Sequence, residues 1–128
     1  MKLTIDLPFP PSVNAVWRSN RGRVHRDKKY SAWESDAWGH WLQQKPTQKL
    51  KSIEGHYALK IILNPPDKRR RDLGNYDKAL SDFLQTAGIV HNDCLCLDLH
   101  IVWGGDEDAP LGARLILEPV LQKNAPAR

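Results

Sequence analysis

The chain has 128 residues and a formal net charge of +4, with 41% hydrophobic and 27% charged residues. This length allows one domain with a sizeable core, and this composition excludes an intrinsically disordered chain. The charge permits a polyanionic partner without requiring one, so the position of the cations matters more than their sum.

The first residues form a strand pattern. Residues 3–7 alternate apolar and polar side chains, which predicts a half-buried strand. Met1-Lys2 leads into this pattern rather than into an apolar run, and no apolar stretch is long enough to span a bilayer. Cys94 and Cys96 are too close in sequence for an ordinary disulfide. We therefore expect a cytoplasmic protein with no membrane partner.

A cation-rich loop is predicted after the prolines that end this strand. Its basic residues, flanked by Trp17 and Tyr30, are Arg18, Arg21, Arg23, His25, Arg26, Lys28 and Lys29. Cations with aromatic rings at either end favour a nucleic-acid backbone with room for base stacking. For Trp17 the alternative, a surface loop whose rings turn into the core, is equally open.

Two periodic elements come next. The spacing predicts a helix from residue 29 to about residue 44. Its apolar stripe consists of Tyr30, Trp33, Ala37 and Trp41, with Trp38 beside it. Three tryptophans on one helix favour core packing over a ligand site, and they are also a candidate dimer surface. Residues 56–63 then predict a second strand, ended by Asn64 and two prolines.

The next segment carries the clearest functional signal. Four consecutive cations, Lys68, Arg69, Arg70 and Arg71, precede Asp72. Asp72 is a favoured N-cap residue, and apolar residues recur after it at helical spacing until a closing Gly88. Helix N-termini and arginines attract phosphate, whereas a divalent cation needs carboxylate oxygen. The segment therefore predicts a site for phosphate and a metal ion, with a solvated loop and a simple cap as the alternative.

A second candidate acid follows this helix. Asp93 precedes a predicted strand whose odd-numbered residues from Leu95 to Trp103 share one face. Adjacent elements of one sheet would bring Asp72 and Asp93 together, with Asp98 as a candidate third acid. Together with Lys78 and the arginines, this set fits metal-assisted phosphodiester hydrolysis, in which the lysine stabilises charge that develops on the phosphoryl oxygens.

The other face of this strand suggests an alternative metal site. Cys94, Cys96, Asp98 and His100 alternate there, and their side chains are of the types that bind zinc. Consecutive residues of one straight strand cannot close a tetrahedron, however. We therefore interpret the two cysteines as small, partly buried residues.

The whole pattern predicts one α+β domain over residues 1–121. It contains a mixed four-stranded sheet and two main helices, and its last strand covers residues 113–120 after a loop at residues 104–112. Residues 122–128 have the composition of a disordered tail.

Several ordered segments resemble the RusA-like Holliday junction resolvases of bacteria and their phages. The similar segments are residues 7–14, 20–23, 66–73 with Asn75 and Lys78, 87–88, 92–93 and Asp98. The resemblance implies a homodimer that uses Mg²⁺ or Mn²⁺ to nick two strands of a four-way DNA junction symmetrically, in recombination and repair.

The resemblance also implies roles for individual residues. Asp72 and Asp93 become catalytic metal ligands, and Lys78 becomes the base or cation that stabilises the phosphate. Asn75 falls on the family's asparagine. The residues expected to contact DNA are Asn14, Arg18, Arg21, Arg23, Lys68, Arg69, Arg70, Arg71 and Asn75.

One position departs from the family pattern. The second aspartate of the family's Arg-Asp-Leu-Asp-Asn segment is Gly74 here, which supplies no metal ligand. Asn92 also stands where family members often have another acid. Three interpretations are open: Asp77 or Asp98 substitutes, the site uses fewer protein ligands and more water, or the chain binds branched DNA and cuts it poorly.

Overall fold

Six strands and two α-helices make up the part of the chain that the structure describes. The computed structural model describes residues 1–13, 17–20, 23–26, 28–105 and 109–121. The strands are β1 (Leu3–Leu7), β2 (Trp17–Asn20), β3 (Arg23–Arg26), β4 (Tyr57–Asn64), β5 (Cys96–Trp103) and β6 (Gly112–Pro119). The helices are α1 (Lys28–Gln44) and α2 (Asp77–Thr86), with short 3-10 turns at Lys45–Thr47, Leu73–Asn75 and Asp93–Leu95.

Four strands form one mixed sheet in the order β1-β6-β4-β5. β6 runs antiparallel to both β1 and β4, whereas β4 and β5 are parallel. A parallel pair needs a crossover connection, and α2 supplies it because it lies between β4 and β5 in the chain. The predicted α+β domain with a mixed four-stranded sheet and two main helices is thereby confirmed.

The core lies on one face of this sheet. Alternate residues of β1, β4 and β6 are buried there, as their strand patterns require. They belong to one hydrophobic cluster with the buried stripe of α1 (Tyr30, Trp33, Ala37 and Trp41) and that of α2 (Ala79, Leu80, Phe83 and Leu84). Trp33 and Trp41 are therefore core residues, and they are unavailable as a dimer surface.

β5 is the exception to this burial. It is an edge strand of the sheet, and none of its residues is fully buried. Leu99 and Trp103 are 44% and 39% exposed. Of the predicted apolar face, Leu99, Ile101 and Trp103 remain aligned, opposite Leu59, Ile61 and Leu63 of β4, and the rest of the described chain covers them only in part.

The cation-rich segment is a hairpin rather than the predicted loop. β2 and β3 form a separate antiparallel sheet in which Arg18 pairs with His25 and Asn20 pairs with Arg23. The sequence does not predict these strands, because apolar residues do not recur at regular spacing in the segment. The predicted DNA contacts Asn14 and Arg21 lie outside the described residues.

The second helix begins later than predicted. The backbone of Asp72 is extended, and its side chain makes no capping hydrogen bond to the 3-10 turn that follows. Tyr76, with φ −117° and ψ 3°, separates this turn from α2. The interpretation of Asp72 as a helix cap is therefore wrong. Gly88 closes α2 as predicted, with a φ of 73° and its N–H donated to the Gln85 carbonyl.

The start of β5 also differs from the prediction. Asp93–Leu95 form a 3-10 turn, and the register with β4 shifts so that Tyr57 pairs with Cys96 and Ala58 pairs with Asp98. Because Tyr57 and Ala58 point to opposite faces of β4, Cys96 and Asp98 do not share one face. The expected alignment of both cysteines with Asp98 and His100 is wrong.

Two further expectations concern membranes and the C-terminus. Within the described ranges, neither α-helix has the length and apolar character needed to cross a bilayer. Residues 122–128, which the sequence predicts to be a tail, lie outside the described residues.

Candidate active site

The basic segment, residues 67–72, follows the end of β4. Lys68, Arg69 and Arg70 are exposed. Arg71 differs from them, because its side chain is only 4% exposed and its Nη1 lies 2.9 Å from Oδ1 of Asp67. The predicted row of four cations is thus three exposed cations and one that is paired within the segment.

Asp67 organises this segment. Its Oδ1 accepts the N–H of Arg69 at 2.9 Å as well as the guanidinium of Arg71. These hydrogen bonds, that of Arg71 first, hold the pKa of the Asp67 carboxyl below its usual value. Sequence reasoning missed this role, because an aspartate after two prolines has the pattern of an ordinary turn.

Asp72 is exposed where the basic segment meets the turn of Leu73–Asn75. The carbonyl of Asp72 accepts the N–H of Asn75 at 3.1 Å, and the turn packs against β5. The buried Tyr76 ring follows, 5.2 Å from the ring of Phe9 and 6.2 Å from that of Trp103. Packing on the core side therefore fixes the backbone that carries Asp72.

Asp93 is exposed at the start of its own 3-10 turn, which packs against α2. Its N–H donates to Oε1 of Gln85 at 3.0 Å, and the N–H of Cys94 donates to Oδ1 of Asn92 at 2.9 Å. Gln85 and Asn92 therefore position this acid. Sequence reasoning missed Gln85 because an exposed helical glutamine has no distinguishing pattern.

Lys78 lies in the first turn of α2. Its Nζ is 3.1 Å from Oδ1 of Asp82. The hydrogen bond that Lys78 donates to Asp82 raises the pKa of Lys78, and the negative charges of Asp82, Asp93 and Asp77 raise it further. The raised pKa favours the ammonium form of Lys78, a cation rather than a base.

The two predicted metal ligands lie beyond opposite ends of the parallel pair of β4 and β5. Asp72 follows the C-terminal end of β4, and Asp93 precedes the N-terminal end of β5. Within the described part of the chain, no hydrogen bond or ion pair joins their carboxylates. Lys78 follows Asp72 by six residues in the chain, and its ammonium forms an ion pair with Asp82.

The donor chemistry can be compared with the needs of a metal ion. Among the described residues, no three His, Cys, Asp or Glu side chains are grouped so as to hold a metal. The zinc alternative around Cys94 and His100 therefore has no support there. Mg²⁺ needs fewer protein ligands than such a group of three. One or two carboxylates suffice when water and a substrate phosphate complete its coordination. The exposed carboxylates of Asp72 and Asp93 are ligands of that kind.

Gly74 lies in open surroundings. A Cβ placed there would meet no atom within 4 Å, and its φ is outside the left-handed range that favours glycine. Neither space nor backbone conformation therefore requires glycine at the position where the family pattern has an aspartate.

Comparison with known proteins decides the family. The sequence profile of the family described as endodeoxyribonuclease RusA matches residues 8–111, which include the basic segment, α2 and Asp93. The chain belongs to the RusA family. This confirms the resemblance found in the sequence.

Curated relatives of the RusA family agree with this assignment. The crossover junction endodeoxyribonuclease RusA of Shigella sonnei is 32% identical over 105 residues, covering 77% of this chain and 80% of that protein. The proteins of the same name from Enterobacteria phage 82 and Escherichia coli K12 are each 34% identical, over 102 and 101 residues. They cover 77% of this chain, and 79% and 80% of their own lengths.

Proposed function

We propose that this RusA-family chain is a metal-dependent endodeoxyribonuclease that resolves four-way DNA junctions by paired, symmetric nicks. The observation that carries the proposal is the run of exposed cations Lys68, Arg69 and Arg70, which leads directly into Arg71 and the exposed carboxylate of Asp72. An acid pair, a protonated lysine and exposed arginines are the groups that phosphodiester hydrolysis requires. The junction as substrate comes from the names of the curated relatives.

The basic segment is proposed to bind DNA, and Lys78 is proposed to stabilise charge during the reaction. Lys68, Arg69 and Arg70 bind phosphates of the DNA backbone and fix its path past Asp72. The Lys78 ammonium, which donates a hydrogen bond to Asp82, stabilises negative charge on the phosphoryl oxygens as it develops. Asn75 and the hairpin residues Arg18 and Arg23 provide further DNA contacts.

Asp72 and Asp93 would hold Mg²⁺, for which Mn²⁺ can substitute. When bound, such an ion activates water and neutralises charge on the leaving oxygen. A homodimer supplies two such sites, and its two-fold axis matches that of the two strands to be cut.

A cleavage assay on a synthetic four-way junction tests the proposal. We expect nicking that requires Mg²⁺ or Mn²⁺, with Asp72→Asn and Asp93→Asn each lowering the rate by orders of magnitude while junction binding persists. The matched control is Asp36→Asn, which removes one carboxylate from the exposed face of α1. Intact junctions after incubation of wild type with either ion would refute the catalytic part of the proposal.

A second candidate function is branched-DNA binding without efficient cleavage. Gly74 favours it, because the family's second aspartate is absent and the described residues contain no group of three metal ligands. Asp77 and Asp98 are the candidate substitutes: Asp77 is the first residue of α2, and Asp98 lies on β5, where it pairs with Ala58.

Gly74→Asp separates the two functions. The open space around position 74 accepts the side chain without a steric clash, so the variant is expected to fold. A large gain of cleavage indicates that wild type is chiefly a binding protein, whereas little change indicates that its site is already complete. Gly74→Asn is the control, because it adds similar bulk without the charge.

A further inference from the structure

We propose that Gln85 and Asn92 are positioning residues that leave the carboxylate of Asp93 available to a divalent ion. Their side-chain oxygens accept backbone N–H groups at the start of the Asp93–Leu95 turn, in place of the carboxylate itself. The consequence for metal binding rests on the proposed function, whereas the hydrogen bonds are a property of the protein without metal or DNA.

The N–H groups of this turn all have acceptors. The N–H of Asp93 donates to Oε1 of Gln85 at 3.0 Å. The N–H of Cys94 donates to Oδ1 of Asn92 at 2.9 Å. The next two N–H groups donate to backbone carbonyls of the same turn. Four consecutive donors are thereby satisfied without a carboxylate oxygen.

The carboxylate of Asp93 is consequently not needed as a cap. Aspartate side chains at the start of a helical turn commonly accept such N–H groups themselves. Within the described ranges, no hydrogen bond or ion pair uses a carboxylate oxygen of Asp93, and the residue is exposed. Mg²⁺ takes one or two carboxylates and keeps several waters, so an exposed carboxylate without capping hydrogen bonds is a suitable ligand.

The core holds the chain between Gln85 and Asp93. The N–H groups of Ile89 and Val90 both donate to the carbonyl of Leu84, at 2.9 and 3.2 Å, and both side chains are buried. This connection brings the N–H of Asp93 back to the side chain of Gln85, eight residues earlier. Because the core already fixes the backbone, only the Gln85 side chain has to be ordered to make the hydrogen bond.

Asn92 stands at the position where the family often has an acid. Its amide oxygen accepts the N–H of Cys94 as a carboxylate would, but it adds no second negative charge beside Asp93. The amide therefore keeps the capping role and gives up the charge.

Amide hydrogen exchange, measured by NMR without metal or DNA, tests the hydrogen bond of Gln85. We expect Gln85→Leu to accelerate exchange at the Asp93 N–H several-fold, whereas Gln85→Glu keeps an acceptor and should not accelerate it. Gln43→Leu, on the exposed face of α1, is the matched control. Amides of β4 and β6 report any global unfolding. Equal exchange at Asp93 in wild type and Gln85→Leu would overturn the proposal, whatever the protein does with DNA.

Mn²⁺ titration, followed by the electron paramagnetic resonance signal of the free ion, tests the consequence for metal binding. Gln85→Leu should raise the Mn²⁺ dissociation constant about three- to tenfold, and Gln85→Glu should not raise it. A merely structural role would lower the melting temperature of both variants without separating their affinities. An unchanged dissociation constant in Gln85→Leu would remove Gln85 from the metal site.

A second pair of variants tests Asn92 by the same titration. Asn92→Ala removes the acceptor and should weaken Mn²⁺ binding in the same direction. Asn92→Asp restores an acceptor and should bind Mn²⁺ at least as tightly as wild type. Equal affinities of the alanine variant and wild type would contradict the role of Asn92.

The two proposals fail in different ways. Wild type that binds Mn²⁺ but leaves four-way junctions intact contradicts the proposed catalysis, and the Gln85 variants still decide the positioning role. Unchanged exchange and Mn²⁺ affinity in Gln85→Leu contradict the positioning role and leave the proposed function intact. Wild type without measurable Mn²⁺ binding overturns the metal role in both.

Discussion

The helix α1 and the basic segment both have a strong sequence pattern, but the two patterns differ in how well they report burial. In α1 the stripe of Tyr30, Trp33, Ala37 and Trp41 is buried as its spacing predicts. In the basic segment nothing in the sequence distinguishes the four consecutive cations, yet among them only the Arg71 side chain is turned inward.

The difference has a physical cause. Moving an apolar side chain from water into the core lowers the free energy and needs no specific partner atom. The spacing of apolar residues along the chain is therefore enough to select the buried face of a helix. A cation leaves water only where specific acceptors compensate its lost hydration. For Arg71 those acceptors are Asp67 and two backbone carbonyls, whose positions depend on the folded path of the chain.

The largest expected effect tests the apolar side of this comparison. Trp41 is 1% exposed, so Trp41→Ala should lower the free energy of unfolding by about 3–5 kcal/mol through lost burial and a cavity. Leu42→Ala is the matched control, because its neighbour Leu42 is 59% exposed, and it should change stability by less than about 0.5 kcal/mol. Urea denaturation measures both, and similar losses would contradict the buried stripe of α1.

The charged side of the comparison is tested by the salt dependence of junction binding. Arg69→Ala and Arg70→Ala should each reduce the slope of log K against log salt by about 0.9, the contribution of one phosphate contact. Arg71→Ala should weaken binding with a smaller change in slope, because Nη1 of its guanidinium is already paired with Asp67 and two backbone carbonyls. Fluorescence anisotropy measures the three slopes. Equal changes in slope for Arg71→Ala and Arg70→Ala would contradict the inward orientation of the Arg71 side chain.

Two glycines give a smaller effect that backbone conformation alone decides. Gly88 has a φ of 73°, so Gly88→Ala should destabilise the fold by about 1 kcal/mol. Gly39 lies inside α1 with no atom within 4 Å of an added Cβ, so Gly39→Ala should stabilise the fold by about 0.5–1 kcal/mol. Thermal unfolding measures both shifts, and shifts of the same sign would exclude this account.

The smallest expected effect is a change in titration. The pKa of Lys78 is raised, chiefly by Asp82, so its protonated form contributes stability below the ordinary lysine pKa. That contribution disappears only as the pH rises through the raised pKa of the folded protein. Between about pH 7 and 9, therefore, Lys78 stays charged and gives no step in the cleavage rate.

Asp82→Asn removes the main cause of this shift. We expect it to lower the pKa of Lys78, measured by NMR on the lysine side-chain resonances. Glu34→Gln, on α1, is the control for loss of one negative charge. An unchanged pKa in Asp82→Asn would show that the Asp82 hydrogen bond is absent in solution.

The amino-acid sequence by itself determined the α+β class, the mixed sheet, the buried faces of α1 and α2, the closing Gly88 and the RusA resemblance. These depend on periodicity, glycine conformation and ordered motifs, which are local in the chain. It also indicated which residues carry the candidate chemistry, namely Asp72, Asp93 and Lys78.

Only the tertiary structure decided how those residues are presented. It moved the start of α2 from Asp72 to Asp77, shifted the register at the start of β5, formed a hairpin from the cation-rich segment and turned Arg71 inward. Each of these outcomes depends on hydrogen-bond and packing partners that lie elsewhere in the fold. A side chain's type limits the interactions it can make, but the partners brought to it by folding select among them.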